Sequence, residues 1–135
     1  QTLVEARLIA DMHPLNFQVQ RVATLSAGTL RDVGKGSFTL PSIDTYDYAG
    51  LQRLTAETEA AVKGFTPEVV NGWEGKTVNF DTGTYKAEFT AEAYMLSFSL
   101  PNFYFHAVTA YDILRAQGVP IGKRDYTGPM RMKIG

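Results

Sequence analysis

The feature that most constrains the fold is an uncharged stretch of eighteen residues, Tyr94 to Tyr111. Its length only reaches the lower limit for spanning a bilayer, and it contains Pro101, Asn102 and His106, which are unfavourable in lipid. The same stretch suits a helix buried in the core of a globular protein, because such cores exclude unpaired charges. We therefore predict a core helix here and no membrane partner.

The composition is that of one soluble globular domain over residues 1–135. Of the 135 residues, 44% are hydrophobic and 20% are charged, which is enough to bury a sizeable core. A formal net charge of −1 offers no basic patch for nucleic acid. The absence of cysteine excludes disulfides, thiolate catalysis and cysteine zinc sites. His13 and His106 therefore remain as the two proton carriers at neutral pH and as the preferred ligands for a transition metal.

The start of the sequence carries no basic segment followed by an apolar one. We therefore expect no secretory signal and a cytoplasmic protein. Because Gln1 stands where an initiating methionine would, we also expect that residues precede it in the natural protein.

Apolar residues at helical spacing predict three long helices. A proline suits the first turn of a helix, and glycine suits its end. On these signals the helices run from Pro14 to Gly34, from the possible N-caps at 42–45 to Gly64, and from Thr90 to Gln117. Residues 35–41 are expected to be a loop and Thr66 to start one further turn, and the tail after Pro120 is polar and rich in glycine and proline. Pro101 should kink or interrupt the last helix.

Two short runs rich in β-formers, at 77–80 and 85–89, predict a hairpin before the last helix. The residues between them include Asp81-Thr82-Gly83, which matches the catalytic loop of aspartic proteases. Such an enzyme needs two aspartates side by side in an all-β fold, whereas the segments around this one are predicted to be helical. The tripeptide is therefore interpreted as a turn.

A polar stripe follows the last helix. Ser99, Asn102, His106 and Thr109 are spaced by three, four and three residues, which places them along one face of a helix. Buried polar groups need partners, so the stripe should face other side chains, water or a ligand. Two interpretations stay open, namely a hydrogen-bonded core histidine and a pocket or metal site.

A second polar row, His13, Asn16, Gln20 and Thr24, follows the first long helix at similar spacing. If the two helices face each other, both rows could line one pocket. The residues predicted to line it are Asn102, His106, Thr109, Tyr104, Tyr111, Asn16 and Gln20. Asp11 could cap the first helix or join the pocket as a carboxylate.

Two segments resemble a known family: 10–15, with Asp11-Met12-His13-Pro14, and 100–125, with Pro101-Asn102-Phe103-Tyr104-Phe105-His106. They are similar to the DUF1993 family of uncharacterised proteins, which is grouped with the DinB/YfiT-like proteins regarded as metalloenzymes. The resemblance implies a mainly α fold, a DinB-like four-helix bundle with a small β-hairpin before its last long helix. It also implies that the first helix of the bundle lies upstream of Gln1.

The resemblance further implies a divalent metal, held in that superfamily by one histidine on the second helix and two on the last, four residues apart. His106 matches a position on the last helix, but the residues four places before and after it are Asn102 and Ala110. His13, His106 and Asp11 could instead form a facial triad for zinc, nickel or iron.

Two functions follow as hypotheses. The first is a DUF1993 protein with a polar interior pocket, which binds a small molecule or serves as a structural homodimer. The alternative is a metal-dependent hydrolase or a thiol or group transferase that uses His13, His106 and Asp11.

Overall fold

The computed structural model describes residues 2–133 and is mainly helical. A 3₁₀ turn at Leu3–Glu5 comes first. The helices are α1 (Leu15–Ala23), α2 (Thr29–Lys35), α3 (Tyr48–Lys63), α4 (Pro67–Asn71), α5 (Ala91–Tyr94), α6 (Leu100–Ala116) and α7 (Lys123–Thr127), and the strands are β1 (Ser37–Thr39), β2 (Thr77–Asp81) and β3 (Lys86–Thr90).

Two of the predicted long helices are each continuous through a π turn. The α1–α2 helix passes through a π turn at Thr24–Gly28, and the α5–α6 helix passes through one at Met95–Ser99. Pro101 lies in the first turn of α6, so the expected interruption takes the form of the π turn just before it. With α3, these two helices confirm the three long helices predicted from the sequence.

Capping residues explain where the helices begin. Thr90 accepts a hydrogen bond from the Ala93 amide and so starts α5, as predicted. The second long helix is a correction, because its N-cap is Asp47 rather than a residue at 42–45. The Asp47 carboxylate accepts from the Gly50 amide at 2.7 Å.

The predicted hairpin is present as β2 and β3, which pair antiparallel with Val78 opposite Phe89. Asp81 is the last residue of β2 and leads into the turn of the hairpin. The Asp81 carboxylate accepts from the Gly83 amide at 2.7 Å, and Gly83 adopts a φ of 87°. This is the turn that was predicted for the Asp-Thr-Gly tripeptide.

The loop predicted at 35–41 is wrong in part, because β1 pairs parallel to β2 and completes a sheet of order β1-β2-β3. Phe38 at the centre of β1 is fully buried and stacks on Phe80 of β2, with ring centroids 5.3 Å apart. Burial of this ring stabilises a strand too short to show a sequence pattern. The polar tail contains the short helix α7, at whose start Asp125 accepts from the Gly122 amide.

The core has two parts. The larger part lies between α2, the sheet and the start of the α5–α6 helix, and consists of Val33, Phe38, Trp73, Val78, Phe80, Ala91 and Tyr94. The smaller part packs α1 against the far end of α6 through Ala6, Leu15 and Ile113. The α1–α2 and α5–α6 helices are thus joined at both ends.

α3 packs mainly against the α1–α2 helix. Of its sixteen residues, Gly50 and Leu51 alone are buried. A helix of a complete bundle buries a wider stripe than this. Residues 2–133 therefore contain three long helices with one side of α3 uncovered.

Within residues 2–133, no helix is long and apolar enough to cross a membrane. The uncharged stretch Tyr94 to Tyr111 forms the end of α5, the π turn and most of α6, but the prediction that it is a buried core helix is wrong for most of its length. Of its residues only Tyr94, Ser99 and Thr109 are buried, because the opposite face of the helix is not covered by another element of the described residues. The cytoplasmic location expected from the sequence stays a prediction.

Replacing Phe38 should show how much the sheet depends on β1. We expect Phe38→Ala to lower the free energy of unfolding by about 3–5 kcal/mol, because the deletion leaves a cavity in a fully packed site. Urea unfolding measures this, with Phe105→Ala as the control, because Phe105 is 54% exposed. The control should change stability by only about 0.5 kcal/mol. Equal losses in the two variants would contradict the role given to Phe38.

Candidate functional site

The polar stripe on α6 is satisfied partly within its own helix. Asn102 donates from Nδ2 to the Phe98 carbonyl, and Thr109 donates from Oγ1 to the Phe105 carbonyl, both at 2.7 Å. Such bonds back to the preceding turn leave fewer polar atoms to face a ligand.

His106 is the member of the stripe that reaches across to α1. Its Nδ1 lies 2.7 Å from Oε1 of Gln18, a buried residue that is not part of the predicted polar row. Because Nε2 of Gln18 donates to the His13 carbonyl at 3.0 Å, the amide oxygen is the atom that faces the imidazole. His106 therefore donates from Nδ1 and keeps Nε2 as an acceptor.

The environment keeps His106 neutral. Burial lowers its pKa to about 4, with further contributions from the positive charges of Arg21 and His13. The Arg21 guanidinium lies over the ring of Phe17, 5.0 Å from its centroid, and donates to the Pro41 carbonyl at 2.9 Å. No carboxylate contributes to the pKa of His106 to offset these effects.

The second polar row faces elsewhere. Gln20 exchanges two hydrogen bonds with the backbone of Asp44, and Asn16 donates to the same Asp44 carbonyl at 3.0 Å. These bonds hold the segment before α3 against α1, beside an open cleft of about 350 Å³ that Arg31 and Glu57 also line. Asn16 and Gln20 thus anchor a loop, whereas His106 pairs with Gln18.

The two tyrosines of the predicted pocket lie apart from this contact. Tyr104 is largely exposed, and Tyr111 packs its ring edge against Tyr126 with centroids 6.1 Å apart. The structure therefore places the seven predicted pocket residues in several environments, and a shared ligand for them stays a prediction.

The residues present do not fit the metal centre implied by the resemblance. Asp11 and His13 are exposed, and within residues 2–133 no group of three or more histidine, cysteine, aspartate or glutamate side chains is placed to hold a metal ion. His13 stacks on Phe17 with centroids 3.9 Å apart, and the same ring lies 5.9 Å from His106. The Gln18 amide and the Phe17 ring thus lie beside His106, and neither belongs to the ligand types that hold zinc in proteins.

A different cleft combines apolar walls with buried hydroxyls. It has a volume of about 230 Å³ and lies between the two π turns, lined by Leu25, Ser26, Thr29, Leu30, Val62, Met95, Ser99, Leu100 and Phe103. The hydroxyls of Thr29 and Ser99, both buried, lie 2.9 Å apart at its wall. π turns inside α-helices are frequent at functional sites.

Tyr94 stands behind this hydroxyl pair. Its side chain is fully buried, and none of the described residues completes a hydrogen bond to its hydroxyl. Burial raises the pKa of Tyr94 to about 12, and the nearby Thr29 and Ser99 hydroxyls only partly oppose that effect. Ser99 belongs to the predicted stripe, but sequence reasoning missed Thr29 and Tyr94 because no spacing rule links them to it.

The fold and its neighbours define the class of this protein as a DinB-like helical protein. A crystal structure of a DinB family member protein from Shewanella denitrificans superposes with a TM-score of 0.76 at 27% sequence identity, covering 98% of this chain and 75% of that chain. The model of the family described as "Domain of unknown function (DUF1993)" matches residues 1–127. The chain therefore belongs to the DUF1993 family, and the fold predicted from the resemblance is confirmed. No curated protein matches the chain.

The neutral state of His106 predicts a pH dependence of stability. In the unfolded protein the His106 imidazole has its ordinary pKa of 6.5, whereas in the folded protein it is protonated only near pH 4. The free energy of unfolding should therefore be highest above pH 6.5 and fall as the pH drops from 6.5 to about 4.

Urea unfolding at several pH values over this range measures the effect. His106→Phe should flatten the decline, whereas His13→Asn, which changes the exposed histidine, should keep it. A decline of the same steepness in wild type and His106→Phe would show that this imidazole is not its source.

Proposed function

We propose that this protein binds a small, neutral, mostly apolar ligand in the cleft between the two π turns. The observation that carries the proposal is the buried pair of Thr29 and Ser99 hydroxyls, which lie 2.9 Å apart at the wall of a cleft that is otherwise apolar. A ligand with one hydroxyl group would share the hydrogen bonding of this pair while its apolar part contacts the walls of the cleft.

The walls of the cleft indicate the chemistry of the ligand. Small-molecule sites are mostly apolar with a few convergent polar groups, which describes Leu25, Val62 and Phe103 around Thr29 and Ser99. No charged side chain lines the cleft, and the raised pKa of Tyr94 marks a site that disfavours charge. A volume of about 230 Å³ suits a molecule of one ring with one hydrogen-bonding group.

Benzyl alcohol and toluene form a matched pair of probes, because they differ by one hydroxyl. We expect benzyl alcohol to raise the melting temperature more than toluene does, since only the alcohol can pair with Thr29 or Ser99. Thr29→Val and Ser99→Ala should each remove that difference. Isothermal calorimetry of both probes at millimolar concentration gives the affinities directly.

Thr109→Val is the control for this experiment, because it removes a buried hydroxyl outside the cleft. The same preference for benzyl alcohol should persist in this variant. If neither probe binds, or if all three variants behave alike, the cleft is not the binding site.

An exposed apolar row on the last helix supports homodimerisation as a second role. Leu96, Leu100, Tyr104 and Val108 follow one another at intervals of four residues and are 41–66% exposed. Contiguous apolar surface of this kind marks interaction sites, and a two-fold pair of copies covers it on both chains. Leu100 also lines the cleft, so a second copy would cover its open side.

Light scattering after size exclusion tests the dimer. Wild type should have twice the mass of one chain at about 100 μM, a concentration at which a micromolar dissociation constant gives mostly dimer. Leu96→Glu should shift it to the monomer, because a charge would be buried in the interface. Leu40→Glu, which also changes an exposed leucine but lies off this helix, should leave the mass unchanged. A monomeric wild type would overturn this role.

The metal-dependent alternative, a hydrolase or a thiol or group transferase that uses His13, His106 and Asp11, stays a prediction from the resemblance. His13 and His106 both lie beside the Phe17 ring, which supports this alternative, but within residues 2–133 no third histidine, aspartate or glutamate completes a metal site with them.

A further inference from the structure

A second cleft lies between the α1–α2 helix, α3 and the segment that joins β1 to α3. It is the open cleft of about 350 Å³ beside the Gln20 contacts described above. One face of the α1–α2 helix lines it at helical spacing, namely Gln20, Ala23, Thr24, Ala27, Gly28 and Arg31. None of these residues lines the cleft at Thr29 and Ser99, so the same helix forms walls of two separate cavities.

Buried side chains fix the wall of this cleft that faces away from α3. Gln20, which is 7% exposed, exchanges hydrogen bonds of 2.8 and 2.9 Å with the backbone of Asp44. Arg21 is also buried and donates to the Pro41 carbonyl at 2.9 Å. The segment from Pro41 to Asp44 is therefore tied to α1 at both of its ends, and the cleft is preformed, as small-molecule sites usually are.

Arg31 supplies a positive charge at this cleft. Its Nε donates to the Asp32 carboxylate at 3.1 Å, and its Nη2 lies 3.5 Å from the position that a Cβ of Gly28 would take. The missing side chain at Gly28 therefore leaves room for the guanidinium against the helix. Among residues 2–133, none accepts a hydrogen bond from the two terminal nitrogens of Arg31. These nitrogens form a planar pair of donors, which is the geometry that fits a carboxylate.

Negative charge is present at the same cleft. Glu57 of α3 and Asp44 both line it. Within the described part of the chain, neither of these carboxylates forms an ion pair with a lysine or an arginine. Because Arg31 pairs with Asp32 and with neither of them, the cleft offers separate partners for a carboxylate and for an ammonium group.

We propose that this cleft binds a free α-amino acid with an aliphatic side chain. The carboxylate of the ligand pairs with Arg31, and its ammonium group pairs with Glu57 and Asp44. Its side chain contacts the aliphatic part of the lining, which includes Ala27 and Leu54. A volume of about 350 Å³ accommodates one molecule of this size.

Three probes that share one aliphatic chain test the proposal. L-leucine carries both charges, isopentylamine lacks the carboxylate, and isocaproate lacks the ammonium group. Isothermal calorimetry at low salt and millimolar ligand should show that L-leucine binds about tenfold more tightly than either of the others, because each charged pair adds to the affinity. The advantage of L-leucine should shrink as salt is added, since the cleft is open to solvent.

Two charge variants show which group of the ligand meets which side chain. Arg31→Gln should reduce the affinity for L-leucine to that for isopentylamine without weakening binding of the amine. The double variant Glu57→Gln with Asp44→Asn should reduce it to that for isocaproate without weakening binding of the acid. The control is Arg53→Gln, which removes an exposed arginine of α3 outside the cleft and should bind L-leucine as wild type does.

Loss of folding does not obscure this test. The Arg31 side chain is 57% exposed, and a surface ion pair such as that with Asp32 adds little to stability. Circular dichroism confirms that each variant is folded.

Three results would overturn the inference. They are no binding of L-leucine, equal affinity of wild type for L-leucine and isopentylamine, and unchanged L-leucine affinity in Arg31→Gln, which would make Arg31 an ordinary solvated charge. Thr29→Val changes the other cleft and should leave L-leucine binding unchanged. The ligand proposed for that cleft is therefore judged separately.

Discussion

Two hydrogen bonds between side chains fix the α1–α2 helix against the α5–α6 helix, and the rest of the structure depends on that contact. Gln18 pairs with His106 near one end, and Thr29 pairs with Ser99 near the other. The partners are 88 and 70 residues apart in sequence, so each bond sets the relative position of distant segments. The apolar clusters on either side bury surface, but these directional bonds select one register between the helices.

Local signals were enough to predict the helices, because their ends are set by residues that act locally. Thr90 caps its helix through its own side chain, and Gly118 ends the last helix in the left-handed conformation that glycine favours. β1 and α7 were missed because elements this short are stabilised by their neighbours. The sequence between Gly36 and Pro41 is typical of a loop. The contact that stabilises Phe38 in a strand is the stacking on Phe80, which is distant in sequence.

The site was predicted less completely, for a reason of geometry. The stripe through His106 was found by spacing, but its partner Gln18 lies outside the row defined by Asn16 and Gln20. Which face of α1 turns toward α6 is decided by packing of Leu15 against Ile113, which no pattern within α1 contains. Neighbouring residues on one helix therefore serve different segments, with Gln18 facing α6 and Gln20 facing Asp44.

Tyr94 and His106 lie in the same uncharged helix, and burial shifts their pKa values in opposite directions. Burial raises the pKa of the tyrosine and lowers that of the histidine, and both shifts keep the side chain neutral at physiological pH. A helix that disfavours charge along its buried face is poorly suited to a divalent metal unless anionic ligands accompany it. The positive charge in this region is that of Arg21 on α1. Its guanidinium donates a hydrogen bond to the Pro41 carbonyl and lies over the Phe17 ring. The two ends of the contact between these helices therefore differ in chemistry. One end has a fixed positive charge nearby, and the other end has hydroxyl groups but no charge.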